Sequence, residues 1–278
     1  MSRKDPKEGL QTRDAVSPVP PIIVGGTGGS GTRVVQSIIE KAGVFMGTNL
    51  NVSKDAMDFE PFLDEMINVI LTHTRRLNYD PAKDLPPTLA LAAANKLRNI
   101  AVYFRRDIPN PRSSWGWKNP RSIYVLPIID SVFPGLHFVH VIRDGRDMAF
   151  SQNQNQLQKH FSSLFARPID DIPVDSIRLW AKANTDIAEW AANNLEESYI
   201  RVRFEDLCEH PSKEIKTLVG KLAIRCENVD DLASSVQTPE TIGRWRKQDG
   251  YMIGRVEQAG KRALEFFGYL SLIHISEP

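Results

Sequence analysis

Residues 22–33 read IIVGGTGGSGTR, with five glycines in seven positions directly behind an apolar run. Glycines strip side chains from a turn so that successive backbone N–H groups can converge on an anion, and a helix that follows adds its positive N-terminal end. The chemistry this suggests is the holding of a phosphate-like group. The nucleoside-triphosphate version of such a loop is GxxxxGK[ST]; Gly26 and Gly31 have its separation, but Thr32-Arg33 stands where the lysine and hydroxyl pair belongs. The bridging cation must therefore come from another part of the chain. A glycine-rich turn without a ligand is the competing reading.

A second stretch, HFVHVIRDGRDMAFSQNQ, places Arg143 at the end of an apolar strand and Ser151 eight residues later. With Ser151 two turns into a following helix, both side chains face the crevice that holds the glycine loop. An arginine fork beside a hydroxyl is a natural clamp for a terminal phosphate. Taken alone, RDGRD also fits a solvated strand-to-helix turn.

These residues need elements to position them. Ile22–Val24 reads as a short buried strand, and Val34, Val35, Ile38, Ile39 and Ala42 follow at helical spacing. Leu97, Ile100, Ala101, Phe104 and Ile108 mark another helix with Pro86-Pro87 as its start signal, and Leu136–Ile142 is a second strand. A further helix starts just beyond Asp144. Ile177, Trp180, Ala181, Asn184, Ile187, Ala188 and Ala191 define a long amphipathic helix, after which SYIRVRF alternates as a third strand. Strands that alternate with helices imply a single α/β domain with a central parallel sheet flanked by helices, and ligands at the carboxyl ends of its strands.

At 278 residues and 41% hydrophobic content the chain can bury one large core. Thirty-five basic residues nearly cancel thirty-four acidic ones, so no global field draws the protein to nucleic acid or an anionic membrane. Cys208 and Cys226 form no CxxC pair and allow at most one disulfide, which favours a reducing compartment. No apolar stretch approaches a bilayer span and the first residues carry no signal-peptide core, so a cytoplasmic protein is expected. Residues 1–20 are polar and proline-punctuated and read as a flexible arm, 21–270 as the domain, and SLIHISEP at 271–278 as a non-native tail.

In four segments the chain resembles the sulfotransferase family, whose donor is 3′-phosphoadenosine-5′-phosphosulfate and whose fold is like that of P-loop-containing nucleoside triphosphate hydrolases. Ser30-Gly31-Thr32 matches the family's SGT loop for the 5′-phosphate side of the donor. Arg143 and Ser151 match its 3′-phosphate pair. YIRVRFEDLCEHPSKEI is similar to a strand ending in R-Y-E-D-L, and TIGRWRK at 241–247 to a late basic loop that closes over the donor. The resemblance spans roughly residues 20–250 and implies donor contacts from Gly28, Gly29, Ser30, Gly31, Thr32, Arg33, Arg143, Ser151, Phe204, Gly243, Arg244 and Trp245. It also implies transfer of a sulfuryl group to a hydroxyl or amine of a small-molecule or glycan acceptor.

Three departures stand out. Gly29 occupies a place where many members carry lysine or arginine, Phe204 replaces the tyrosine of R-Y-E-D-L, and Val34 replaces a tryptophan that stacks on adenine. Lys118, in WGWKNPR, resembles the lysine that relatives set beside the donor's bridging oxygen and is the expected source of the missing charge. Sulfuryl transfer resembles phosphoryl transfer in its in-line geometry, so the protein's work is positioning and neutralisation, with no metal called for. A hydroxyl acceptor needs a base. The segment GVFMGTNLNVSKDAMDFEPF offers Asp55, Asp58 and Glu60, with Asp55 the first choice and Asp58 the second; alternatively Asp55 caps a helix beginning near Ala56.

The remaining candidates point several ways. His137 and His140 lie on opposite faces of one strand and cannot share a metal. His73 is a candidate for the acceptor side, the pairs Arg75-Arg76 and Arg105-Arg106 for an acidic acceptor such as a sugar acid, and Trp115 and Trp117 for stacking on an acceptor or for the core. A P-loop nucleotide or small-molecule kinase and a non-catalytic nucleotide-binding module are the rival functions.

Overall fold

A computed structural model describes residues 19–270 except Pro109 and Pro111; most of the expected arm and all of the expected tail lie outside the described residues. Four strands, β1 (Ile22–Gly25), β2 (Gly116–Lys118), β3 (His137–Ile142) and β4 (Tyr199–Arg203), pair in parallel in the order β2-β1-β3-β4. The helices in chain order are α1 (Thr32–Lys41), α2 (Glu60–Thr74), α3 (Pro81–Asp84), α4 (Pro87–Arg105), α5 (Leu126–Val132) and α6 (Gly145–Ala149). They continue with α7 (Asn155–Phe165), α8 (Ile172–Asn194), α9 (Phe204–Glu209), α10 (Pro211–Lys221), α11 (Val229–Ser234) and α12 (Gly250–Phe266).

Every residue of β1 is buried, as a central parallel strand covered on both faces must be. Its side chains alternate between two cores. Ile23 joins Phe138 and the apolar faces of α2, α4 and α5 on one side, while Ile22 and Val24 join Val139, Val141 and the Val35, Ile38 and Ile39 stripe of α1 on the other. The three expected strands and the α1, α4 and α8 helices are all present, and α4 begins at Pro87. Strand β2 was not legible: three residues are too short for any periodicity. Its Gly116 is fixed by contact, since a Cβ there would sit 2.0 Å from the Ile22 carbonyl oxygen.

Trp115 and Trp117, beside that strand, are core residues. The Trp117 ring stacks on Phe59 with centroids 4.2 Å apart, and the Trp115 indole N–H donates to the Val19 carbonyl at 2.8 Å. Cys208 and Cys226 are both free thiols. Among the described residues no helix is long and apolar enough to cross a membrane.

Strand β1 has β2 on one side and β3 on the other, so successive connections leave the sheet centre in opposite directions and open a crevice at the carboxyl ends. Each strand delivers a candidate site residue to that edge. The glycine loop follows β1, Lys118 ends β2, Arg143 follows β3 and Phe204 follows β4.

Two buried histidines make the fold sensitive to acid. His140 sits between the Tyr199 hydroxyl and the Asn184 carbonyl oxygen, each at 2.9 Å, and burial pulls its pKa down to about 4. Burial, with the charges of Arg121 and Lys159, pulls His160 down to about 3. Both are neutral in the fold, whereas the unfolded chain takes up their protons near pH 6.5, so stability is complete above that pH and is lost as pH falls toward 4. At pH 5 each histidine should cost about 2 kcal/mol relative to neutral pH. Urea unfolding across this range checks it, and a flat profile from pH 7 to about 4.5 would contradict the assignment.

Candidate active site

The turn after β1 is built around Gly29 and Gly31, at φ 85° and 94°, in the left-handed region that glycine enters at no steric cost. Gly31 is also the residue on which α1 starts, and the Phe204 ring packs so closely that a Cβ at Gly31 would lie 2.2 Å from it. Among the described residues the backbone N–H groups of Gly28, Gly29, Gly31, Thr32 and Arg33 have no protein acceptor. The hydroxyls of Thr27 and Ser30 are buried without a hydrogen-bond partner. Buried polar groups left unmatched inside a loop at a helix N-terminus are what an anion site requires.

A cleft of about 1010 Å³ opens beside the loop. Lys118, 1% exposed, reaches it from the end of β2, and its Nζ donates to the Ser53 carbonyl at 2.5 Å and to Asp55 Oδ1 at 2.6 Å. An ammonium has three N–H bonds, so one is left for a ligand oxygen. Burial lowers the lysine's pKa and the Asp55 carboxylate opposes that shift.

Arg143 is equally enclosed, and its guanidinium lies over the loop, with Nη1 3.5 Å from the Gly29 carbonyl oxygen. Its Nη2 donates to Asp147 Oδ2 at 3.0 Å and to the Thr241 carbonyl. Asp147, also buried, accepts from the backbone N–H of Gly243 at 2.8 Å and of Trp245 at 3.3 Å. One carboxylate thus fixes the arginine fork and pins the 241–245 segment beside it.

The cleft wall takes in Gly28, Gly29, Gly31, Thr32, Arg33, Lys118, Asp55, Arg143, Phe204 and Arg244. Other expected residues fall elsewhere. Ser30 lies under the loop with its free hydroxyl. Gly243 and Trp245 act through their backbones on Asp147, and the Trp245 ring lies 3.8 Å from the Arg146 guanidinium rather than in the cleft. Asp58 borders a separate depression with Asn49, Pro61 and Tyr103.

Ser151 is not two turns into a helix. The α6 helix stops at Ala149 because the Gln154 side-chain amide donates to the carbonyls of Met148, Ala149 and Ser151 and ties off the helix end. Ser151 follows in the bend outside the cleft wall, its Oγ accepting from the Asn153 N–H at 3.2 Å. Asp55 makes no helix cap either, since its two oxygens accept from Lys118 and Asn51.

The candidate acidic-acceptor arginines are spent outside the cleft. Arg75 donates to the Ser163 carbonyl and Arg76 to Asp84, while Arg105 lies over Trp115 and Arg106 over Tyr103. His73 is exposed on the last turn of α2. Glu60, offered by the sequence as a third carboxylate, does line the cleft; sequence reasoning passed over Arg121, Gln156 and Lys159, which line it too, and Asp147, which organises it. The usable signals were the i,i+4 spacing of Arg143 and Asp147, and the place of Arg121 three residues after Lys118.

A sulfotransferase family model matches residues 20–228, and the chain belongs to that family. The fold is similar to that of a sulfotransferase domain from the curacin biosynthetic pathway, at TM-score 0.57 and 14% identity over 91% of this chain and 99% of that one. It is similar also to a sulfotransferase domain from the Synechococcus PCC 7002 olefin synthase, at TM-score 0.58 and 15% identity over 95% and 100% of the two chains. A third relative in fold is sulfotransferase STF1 of Mycobacterium tuberculosis H37Rv, at TM-score 0.52 and 13% identity over 87% and 76%. No curated protein matches the sequence.

Gly31→Ala should lower unfolding free energy by about 1–3 kcal/mol, because the new methyl meets Phe204 in a backbone conformation that disfavours it. Gly28→Ala, whose Cβ would find Gln156 at an ordinary 3.6 Å, should stay within about 0.5 kcal/mol of the parent. Equal losses in a chemical-denaturation comparison would refute the contact argument.

Proposed function

We propose that the protein transfers a sulfuryl group from 3′-phosphoadenosine-5′-phosphosulfate to a hydroxyl-bearing acceptor. The observation that carries this reading is the delivery, by four strand ends, of an anion loop, Lys118, Arg143 and Phe204 to a single cleft. The free amides of Gly28, Gly29, Gly31, Thr32 and Arg33 and the unmatched hydroxyls of Thr27 and Ser30 suit the 5′-phosphate side of the donor. Arg143, locked over the loop by Asp147 and Thr241, suits the 3′-phosphate, with Arg244 as a second cation on the same wall. Phe204 and Val34 supply the apolar surface for adenine.

The donor supplies an activated sulfur whose leaving group is a phosphate. The acceptor oxygen attacks that sulfur in line, so that a new S–O bond forms as the S–O bond to phosphate breaks and its electron pair departs with the phosphate oxygen. Lys118 meets that growing negative charge with its remaining N–H, and the acceptor proton passes to Asp55. Asp55 is favoured over Glu60 because it touches Lys118, and thus lies beside the reacting centre, whereas the Glu60 oxygens meet Asn119 and Arg121.

Thermal-shift measurements decide the donor class. Adenosine 3′,5′-bisphosphate should raise the melting temperature without magnesium, and ATP with magnesium should not; the reverse order would assign the loop to a kinase. Asp55→Asn keeps an acceptor for the Lys118 hydrogen bond but cannot take a proton, so kcat should fall by about 10² or more with bisphosphate affinity unchanged. A loss below about tenfold would leave Asp55 as a holder of Lys118 only. Lys118→Ala should lower kcat by about 10² while leaving donor affinity near that of the parent.

A further inference from the structure

The half of the cleft away from the glycine loop has a composition of its own. Beyond the loop its wall takes in Asn51, Ser53, Glu60, Arg121 and Lys159. The apolar residues of the cleft are Val34, Pro120, Phe204 and Pro239, and all four belong to the loop side. Phe204 packs on Gly31 and Val34 follows it in α1, the Pro120 carbonyl accepts from Gly26 N–H, and Pro239 leads into the Thr241 segment held by Arg143. Among the described residues lining this cleft, no other side chain is aliphatic or aromatic. A hydrocarbon acceptor would leave these amides and charges desolvated without partners, at a cost that grows with each.

The charges there cancel locally. Arg121, 6% exposed, pairs with Glu60 at 2.8 Å and Asp64 at 2.6 Å, and Lys159 pairs with Asp64 at 3.0 Å. Two cations and two carboxylates leave no surplus to bind an acidic or a basic acceptor, and an incoming ion would have to displace one of its own sign from a formed pair. One amide in the wall is also held in place. The buried Tyr124 hydroxyl donates to Gln156 Oε1 at 3.1 Å, so the Gln156 Nε2 donors are free for the cleft, and a Cβ at Gly28 would lie 3.6 Å from that nitrogen. Gln156 therefore stands where the two halves meet.

Resting on the sulfuryl-transfer reading, we infer that the acceptor is a neutral, hydroxyl-rich molecule of the carbohydrate class. Alternating donors and acceptors on a sugar match a wall of amides, a hydroxyl-side carbonyl and paired ions, and the volume of about 1010 Å³ holds more than one nucleotide. Asn155, exposed on the first turn of α7 and also in the wall, offers one more amide.

The test uses the full chain saturated with adenosine 3′,5′-bisphosphate, with ligand-observed NMR for binding and sulfate transfer as a second readout. The probes are methyl glucoside, lactose and maltotriose, against glucuronic acid, glucosamine, para-nitrophenol and a sterol. The neutral sugars should bind at millimolar concentration, and at least one should exceed every charged or apolar probe by about tenfold in affinity or in kcat/KM. Asn155→Leu should raise the KM of the best sugar severalfold while the bisphosphate dissociation constant stays fixed. Preference for para-nitrophenol, the sterol or either charged sugar overturns the inference, as does binding by none of the neutral sugars. If the bisphosphate itself fails to bind, the donor reading falls and the acceptor inference with it, which separates the two failures.

Discussion

The parallel register of four short strands is the constraint on which the site depends. Val24 pairs with Lys118, Gly25 with His140 and Ile142 with Arg203, so the strands end at one edge within a residue or two of each other. Parallel pairing points every carboxyl end the same way, and groups separated by up to 180 positions in sequence emerge side by side. A one-residue slip of β2 would turn Lys118 to the opposite face of the sheet. The contact of Gly116 with the Ile22 carbonyl leaves no room for such a slip with a larger residue.

The second organising feature is that the three most enclosed cations of the cleft each carry a carboxylate. Lys118 has Asp55, Arg143 has Asp147, and Arg121 has Glu60 and Asp64. Enclosed ion pairs lose hydration that their attraction only partly restores, so their presence is weak evidence for stability. Their effect is geometric: each carboxylate holds its guanidinium or ammonium group in one orientation. Arg33 and Arg244 line the same cleft with no ion pair among the described residues, so a chain of net charge +1 keeps unmatched positive groups at one edge of its sheet.

The loop shows how much local chemistry can be read directly. Its glycine spacing, the helix behind it and the absence of a lysine at Thr32-Arg33 pointed to a loop that would need charge from a distance, and Lys118 and Arg143 line the same cleft as that loop. Ser151 and Asp58 show the limit. Each was placed by its distance along the chain, assuming a regular helix or a uniform segment. A single glutamine that closes α6 early, and a turn between Asn51 and Asp55 that sends neighbouring carboxylates to different surfaces, undid both.

Local pattern determined the alternation of strands and helices, the parallel sheet and the glycine turn, because burial on two faces and positive φ leave their mark on adjacent residues. Tertiary structure alone decided which charges are free and which are matched. The pairing of Lys118 with Asp55, the Asp147 hub and the balanced polar half of the cleft join residues from 57 to 98 positions apart. Ion pairs and hydrogen bonds depend on distances of a few ångströms in space, and a sequence records such distances only where the chain itself keeps the partners close.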